Sequence, residues 1–234
     1  MGNNLIMTAA APKTRPRGRP ARDARSVDET RGAILKAALT LFSERGFEGV
    51  ALRDIAARAG VEHSLVRYHF TDKGRLWRAA LRDLIDRMNA ARAAHWRSTR
   101  GQPLIDRFKA SLRDYVRYCA HNPEHARIMV HETVADTDRT VWIAEQIVGP
   151  QHRAARRTLE ALMDEGWLPR MEPRRLIYML SAAAQAPFTL AGELRHAYGV
   201  DPSQEAEIEA HADALIAMFI KPLRPPSGSP EAGA

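Results

Sequence analysis

The sequence is poor in the features that mark secreted or membrane-spanning proteins. It has a single cysteine, Cys119, which excludes a framework of disulfide bonds within the chain and fits a reducing compartment. No apolar run approaches the roughly 20 residues that a membrane-spanning helix needs. Residues 1–12 lack the basic start and apolar core of a secretory signal. These absences predict a cytoplasmic protein without a membrane partner.

Segments with the alternating pattern of β-strands are also missing. Apolar residues recur instead at helical spacing, which predicts an all-α fold. A first helix, capped by Ser26 or Asp28, should end near Arg45, and a long helix should run from Leu76 to about Trp96. In the rest of the chain, glycine, proline and aspartate separate helices that we predict at 104–121, 123–134, 138–148, 150–166, 173–198 and 203–219.

Positive charge is in excess, with a formal net charge of +7, while 45% of the residues are apolar and suffice for a core. Such a balance favours a polyanionic partner, although charge alone does not distinguish nucleic acid from an acidic membrane surface. In residues 1–25, Arg15, Arg17 and Arg19 alternate with proline and glycine. We expect this arm to be disordered before binding. Its arginines either enter a DNA minor groove or form a solubilising tail that adds salt-sensitive affinity.

The stretch LRDIAARAGVEHSLVRYHFTDK, residues 52–73, carries the strongest pattern. It indicates two short helices joined by a tight turn at Gly60, where glycine ends a helix easily. In the second helix Val66 and Phe70 should face the core, whereas the opposite face has hydrogen-bonding groups and no carboxylate. That face suits a DNA major groove, but a helical hairpin that only meets water has the same pattern.

The surrounding residues decide between these readings. AALTLFSERGFEG, LRDIAARAGV and YHFTDKGRL follow one another in order, and residues 30–82 resemble the N-terminal domain of the tetracycline-repressor (TetR/AcrR) family of bacterial transcriptional regulators. The resemblance implies a three-helix helix-turn-helix domain followed by a larger helical domain for ligand binding and dimerisation. Relatives often carry a glycine-threonine-leucine-tyrosine run where this chain has Ser64, Leu65, Val66 and Arg67, so their operators cannot be transferred to it.

The resemblance also implies which side chains meet DNA. It makes His63, Ser64, Leu65 and Arg67 the base-facing residues; Arg67 suits guanine and Leu65 a thymine methyl. Further positions match those that touch phosphates or the groove edge: Arg53, Tyr68, His69, Thr71 and Lys73. Thr71 and Lys73 open the next helix, whose free N–H groups favour a phosphate.

Large and polar side chains in the C-terminal part form either plain core or the wall of a small-molecule site, which the family resemblance favours. The candidate ligand residues are Tyr115, Tyr118, Met129, His131, Trp142, Met163, Tyr178 and Gln185. No metal site is expected, because Pro123 separates His121 from His125 and no HExxH pattern is present. Gly-rich phosphate loops and a GxSxG elbow are absent too, so we expect neither a cofactor nor catalysis.

Two apolar bands near the C-terminus indicate a dimer. The resemblance implies that they form a four-helix interface with a second copy, although both could be buried within one chain. The residues proposed for this interface are Leu180, Ala184, Phe188, Leu215 and Phe219. Pro187 should kink its helix, because it removes one backbone hydrogen bond.

The sequence thus predicts a basic arm (1–25), a DNA-binding domain (26–75), a helical ligand-binding and dimerisation domain (76–220) and a flexible tail (221–234). The leading hypothesis is a ligand-responsive repressor that binds a palindromic operator as a homodimer and is released by a small-molecule effector. The alternatives are an architectural, non-specific nucleic-acid-binding protein driven by the arm, and a helical enzyme.

Overall fold

A computed structural model of the protein describes residues 26–221. Within this range the ordered elements are helices, which confirms the all-α prediction. In chain order they are α1 (Val27–Arg45), α2 (Leu52–Ala59), α3 (His63–His69), α4 (Lys73–Ser98), α5 (Leu104–His121), α6 (Pro123–Ala135), α7 (Asp138–Ile143), a π-helical segment (Ala144–Val148), α8 (Gly149–Asp164), α9 (Pro173–Thr189), α10 (Ala191–Tyr198) and α11 (Glu205–Phe219).

Helix α1 begins at a capping box. The Ser26 hydroxyl accepts a hydrogen bond from the Glu29 N–H at 3.1 Å, and the Glu29 carboxylate accepts one from the Ser26 N–H at 2.8 Å. Of the two candidate caps, Ser26 is therefore the one in use. The helix ends at Gly46, whose φ of 68° lies in the region that glycine adopts without strain.

A first core joins the N-terminal helices. Ile34 and Phe42 of α1 pack with Ile55 of α2, Val66 of α3 and Trp77 of α4, all nearly or completely buried. The same core continues into the C-terminal part through Ile128 of α6, Ile143 of α7 and Ile147 of the π segment. The apolar interior therefore does not stop at residue 75, where we placed the domain boundary from sequence.

A second core lies among α5, α8, α9 and α11, with Val116, Leu162, Leu176 and Ala212 at its centre. Its outer edge carries a charge network. Arg113 of α5 contacts Glu209 at 3.0 Å and Asp213 at 2.6 Å on α11, and Arg117 contacts Glu209 at 2.6 Å. These contacts fix α5 alongside α11.

The prediction that one helix ends at Gly149-Pro150 was wrong. Helix α7, the π segment and α8 run on without interruption from residue 138 to residue 164. The Gly149 N–H bonds the carbonyl of Ala144, five residues back, which widens the turn just before Pro150. Because the backbone bonding is already shifted there, the missing N–H of proline does not end the helix.

The prediction of a single helix over residues 173–198 was also wrong. The chain breaks at Leu190, which has φ −97° and ψ 23°, three residues after Pro187. Pro187 has no N–H for the carbonyl of Ala183, four residues earlier. His211 of α11 takes that free carbonyl instead, with Nε2 at 3.0 Å from it. The carbonyl that Pro187 leaves free thus forms a contact between α9 and α11.

Candidate nucleic-acid interface

The turn between α2 and α3 has the geometry that the sequence predicted. Gly60 adopts a left-handed conformation, with φ 67° and ψ 37°, and its N–H bonds the carbonyl of Ala57 at 3.2 Å. The Val61 N–H then bonds the carbonyl of Ala56 at 3.1 Å. Both carbonyls at the end of α2 are therefore satisfied, and α3 starts two residues later at a fixed angle.

Helix α3 is anchored on one side only. Val66 and Phe70 are buried at 0% and 5% exposure, as their spacing predicts. The opposite side exposes Ser64, Arg67 and Tyr68, the last at 80%. His63, Leu65 and His69 are partly exposed at the edges, and Arg53 of α2 and Thr71 are exposed nearby. Most of the predicted base-facing and groove-edge residues are therefore accessible to solvent at least in part, and α3 itself carries no carboxylate.

Lys73 departs from this pattern. Its ammonium donates a hydrogen bond to the carbonyl of Phe47 at 3.0 Å and lies 4.4 Å above the Phe47 ring. The start of α4 also has its own cap, since the Asp72 carboxylate accepts a hydrogen bond from the Arg75 N–H at 2.8 Å. The phosphate site predicted here would therefore compete with a carboxylate already in place, and Lys73 would have to give up its contact with Phe47.

Four charged residues around one phenylalanine ring connect this domain to the rest of the chain. We call this group the Arg139 cluster: Phe47, Glu48, Lys73, Glu132 and Arg139. The Arg139 guanidinium lies 3.9 Å from the centre of the Phe47 ring and contacts Glu132 at 2.7 Å and Glu48 at 3.4 Å. The Glu132 side chain is only 3% exposed, so this ion pair is well shielded from water. The loop after α1 is thereby fixed to α6 and α7.

A cavity of about 520 Å³ lies between the second half of α4 and helices α5, α8 and α9. Its wall is mostly apolar, with Met88, Phe108, Leu112, Leu159 and Leu180 among its residues. The size falls in the roughly 300–1,000 Å³ range of small-molecule sites. The arrangement can enclose a small organic compound.

Two of the eight predicted ligand residues, Tyr115 and Tyr118, line this cavity. Their rings stack with centres 6.3 Å apart. Gln185 lies behind them and donates a hydrogen bond from its amide to the Tyr115 hydroxyl. Gln185 therefore positions a wall residue but is not itself part of the wall.

The other five predicted ligand residues do not line this cavity. Met129 and Trp142 pack against the first core, where Trp142 meets the Trp77 ring edge-on at 5.4 Å. His131 is exposed beside Gly46, and Met163 is buried in the second core. Tyr178 is 63% exposed and contacts the His152 ring from outside. Met129, His131 and Trp142 belong to α6 and α7, which do not line this cavity. Met163 and Tyr178 belong to α8 and α9, which do line it, but with other side chains.

Sequence reasoning missed the polar groups that do line the cavity. They include Arg92 and His95 of α4, Asp114 of α5, and Gln151 and His152 of α8. A signal was present, because Arg92 and His95 continue the buried stripe of α4 at four and seven residues beyond Met88. For Gln151 no such signal existed, since α8 was expected to begin at a helix break.

Behind the cavity, burial changes the acid–base behaviour of several side chains. It raises the pKa of Tyr115 and of Tyr118 far above the usual value, so both remain neutral hydroxyls. It also raises the pKa of the Cys119 thiol to about 12, which makes the thiolate and its nucleophilic chemistry inaccessible. His125, whose Nδ1 lies 3.2 Å from the Tyr118 hydroxyl, has its pKa lowered to about 4 by burial.

Most residues predicted for the dimer interface are buried inside their own chain. Leu180, Ala184, Phe188 and Leu215 are at most 7% exposed, and Phe219 is partly buried. In the single chain, α9 and α11 direct these side chains towards the second core, so they are not available on its surface. The other sides of the same helices carry exposed apolar side chains, as does Leu190 directly after α9. We call this surface the outer apolar face: Met179, Ala182, Ala186, Leu190, Ala214, Ala217 and Met218.

Two predictions concern segments that the structure does not describe. The arm residues Arg15, Arg17 and Arg19, and the tail beyond Lys221, lie outside the described residues. Between residues 26 and 221, no helix combines the length and the apolar character needed to cross a bilayer.

The anchored α3, its exposed polar face and the left-handed turn before it have the geometry of a helix-turn-helix DNA-binding domain. Residues 34–80 match the family profile described as bacterial regulatory proteins, tetR family. The chain belongs to this family of DNA-binding transcriptional regulators, which are not enzymes, and the resemblance seen in the sequence is thereby confirmed.

Individual relatives extend the match beyond the DNA-binding domain. The transcriptional regulator RutR of Escherichia coli (strain K12) is 27% identical over 234 residues, which cover 94% of this chain and 100% of RutR. The transcriptional repressor Rv3405c of Mycobacterium tuberculosis is 48% identical over 67 residues, covering 27% of this chain and 36% of that protein. Among solved structures, AibR in complex with isovaleryl coenzyme A and operator DNA has the same fold. Its TM-score is 0.62 at 17% identity, over 82% of this chain and 99% of AibR.

Proposed function

We propose that this regulator is a repressor that binds a palindromic operator as a homodimer and is released by a small-molecule effector. The observation that carries the proposal is the course of α4. This helix starts directly after the recognition helix α3, and its second half, at Met88 and Arg92, forms part of the cavity wall. A compound in the cavity therefore contacts the same helix that supports the DNA-binding surface.

DNA recognition is assigned to the exposed face of α3. His63, Ser64, Leu65 and Arg67 would meet base edges, with the Arg67 guanidinium placed to bridge guanine O6 and N7. Support comes from the burial pattern, because the two apolar residues of α3 are anchored while Arg67 is exposed. Arg53, Tyr68 and His69 flank this face and would contact the sugar-phosphate backbone, which sets register rather than sequence.

Dimerisation is assigned to the outer apolar face of α9 and α11. Monomeric proteins rarely leave contiguous apolar patches uncovered, and Met179, Leu190 and Met218 are each about half exposed or more. Two copies joined by a two-fold axis would present two α3 helices to half-sites about 34–36 Å apart. The operator is therefore expected to be palindromic.

Release of the operator by an effector follows from the coupling between the two binding equilibria. A compound that binds better to a dimer with the wrong spacing of α3 helices lowers operator affinity by its differential affinity for the two states. AibR, whose structure holds both an acyl coenzyme A and operator DNA, supports the idea that this fold accommodates both ligands. Rv3405c, described as a repressor, supports the direction of regulation. The domain layout of the sequence analysis and a location in the cytoplasm remain part of this proposal.

Selection of bound fragments from a pool of random DNA duplexes tests the proposal. We expect a palindrome whose affinity survives moderate salt, and Arg67→Ala should weaken binding about 10- to 100-fold for each half-site, because each protomer loses one bidentate base contact. The loss should be confined to one base position in each half-site. Arg157→Ala removes an exposed arginine of α8, far along the chain from α3, and controls for lost charge.

The same experiment distinguishes a repressor from the alternative, an architectural nucleic-acid-binding protein. Equal binding to all duplexes, weakened equally by Arg67→Ala and Arg157→Ala, would indicate an architectural protein driven by the basic arm. Such a protein would lose affinity steeply with salt and show no half-site spacing.

A further inference from the structure

The cavity wall contains one cation that the protein leaves unmatched. The Arg92 guanidinium donates a hydrogen bond to the Asn89 side chain at 2.9 Å, but within residues 26–221 no carboxylate lies at ion-pair distance from it. Arg92 is partly buried, and this burial lowers its pKa, because it makes the charged form less favourable. A charged group in such a place is normally paired with a counter-ion or bound to a ligand.

The other ionisable groups of the wall are already compensated. The Asp114 carboxylate lies 2.8 Å from the His95 ring and 3.8 Å from the Arg117 guanidinium. Burial lowers the pKa of His152, so this ring stays neutral at ordinary pH. Arg92 is therefore the cation of the wall that has no carboxylate partner among the described residues.

Gln151 adds a second polar observation. Its side-chain nitrogen is buried in the cavity wall and has no hydrogen-bond partner among the described residues. Buried amides in proteins are almost always paired, so an unpaired one that faces a cavity indicates a ligand acceptor. The rest of the wall is apolar and includes Phe108, Leu159 and Ile177.

We propose that the effector is an amphipathic monocarboxylic acid. Its carboxylate binds the Arg92 guanidinium and accepts a hydrogen bond from Gln151, and its apolar body lies against Phe108, Leu159 and Ile177. One planar guanidinium matches one carboxylate, whereas a phosphate monoester brings close to two charges and would leave one unmatched. This inference rests on the proposed function, because it names the chemical class of that effector.

Calorimetry with three probes of equal chain length tests the inference on the full-length protein. Octanoate should bind, octan-1-ol should bind at least tenfold more weakly, and octyl phosphate should also bind more weakly than octanoate. Arg92→Met should weaken octanoate about 10- to 100-fold, the range expected for a charged hydrogen-bonded pair, without weakening octan-1-ol. Arg92→Lys should recover part of the octanoate affinity, and Gln151→Leu should lower it.

The matched control is Arg97→Met, which makes the same substitution at an exposed position of α4 outside the cavity wall. It should leave all three affinities unchanged. Equal binding of octanoate and octan-1-ol, tighter binding of octyl phosphate, or no binding of any probe at millimolar concentration would overturn the inference.

A second measurement separates this inference from the proposed function. Operator affinity of the unliganded protein is measured on the selected palindrome, and octanoate is then added. Sequence-selective DNA binding with no preference for octanoate would reject the carboxylate and keep the regulator. Octanoate binding without sequence-selective DNA binding would reject the proposed function and keep the carboxylate site.

Discussion

His125 is buried in the interior of the protein with its imidazole ring in the neutral form. Burial lowers its pKa to about 4 from the ordinary 6.5, and its Nδ1 lies 3.2 Å from the Tyr118 hydroxyl. In the unfolded chain the ring takes up a proton below pH 6.5, whereas the folded chain resists it until about pH 4. The folded protein is therefore penalised as the pH falls through this window.

We expect the free energy of unfolding to decrease from pH 6.5 to pH 4, by up to about 3 kcal/mol from this group alone. His125→Asn keeps an acceptor for Tyr118 but removes the titration, so the decrease should shrink by about that amount. Urea unfolding at pH 4.5 and pH 7 measures both. The exposed His121, changed to Asn, controls for the loss of a histidine. An unaltered pH dependence in His125→Asn would contradict the assignment.

Single residues also show what the sequence can and cannot predict. Val66 and Phe70 were placed correctly, because their orientation depends only on the period of one short helix. Lys73 was not, because its ammonium binds the Phe47 carbonyl, 26 residues away along the chain. Such a contact depends on how α1 and α4 meet, which local spacing does not determine.

Among the helices, α1 and α2 offer a matched pair of glycines. Gly32 lies inside α1 with open space around it, and Gly60 ends α2 with φ 67°, also in open space. Gly32→Ala should raise the free energy of unfolding by about 0.5–1 kcal/mol, because alanine favours a helix. Gly60→Ala should lower it by about 1–2 kcal/mol, because a Cβ is strained in the left-handed region. Denaturant titration measures both, and a shift in the same direction would contradict this account.

The contact between α6 and α7 depends on the buried pair of Glu132 and Arg139. Arg139→Leu leaves the Glu132 carboxylate, 3% exposed, without its partner and should cost about 3 kcal/mol. The double variant Arg139→Leu with Glu132→Leu should recover much of that loss, since no buried charge remains. Thermal and urea unfolding of the four proteins in this cycle gives the coupling energy.

The control for this cycle is Arg156→Leu, which breaks an exposed pair with Glu160 on α8. Such pairs contribute little, so the unfolding transition should stay where it is. If Arg139→Leu and Arg156→Leu lowered the free energy of unfolding equally, burial of the Glu132–Arg139 pair would not contribute to stability.

Proline and glycine predict some helix ends correctly and others not. Asn122-Pro123 ends α5 as predicted, yet Gly149-Pro150 interrupts nothing, because a wide turn absorbs the proline. At Pro187 the helix continues for two residues, and His211 of α11 bonds the carbonyl that the proline leaves free. Both outcomes depend on backbone bonding and on a distant helix, neither of which the local sequence contains.

For the whole molecule, the main expectation concerns the outer apolar face. Met218→Glu puts a charge at a position that is 70% exposed in the single chain. If a second copy covers this position, the carboxylate must be desolvated in the dimer, and dimer affinity should fall at least about 100-fold. Sedimentation measures the dimer, and operator affinity should fall with it.

Val134→Glu is the matched control, because Val134 is 82% exposed at the end of α6, outside that face. It should leave both the dimer and operator affinity unchanged. A dimer that persists in Met218→Glu would place the interface elsewhere. The sequence placed the dimer interface on bands of α9 and α11 that the structure buries, because these bands form the monomer's own second core. The outer apolar face of the same two helices therefore stays a proposal.

The first core has a practical consequence for engineering. A hybrid regulator can be built by joining the DNA-binding domain of one protein to the ligand-binding domain of another. Here a graft cut after residue 75 would remove Trp77, Ile128 and Ile143 from the interior they share with α1. A DNA-binding domain moved into a hybrid should therefore keep its native sequence through Ile147. Otherwise the new ligand-binding domain needs substitutions that rebuild the shared core.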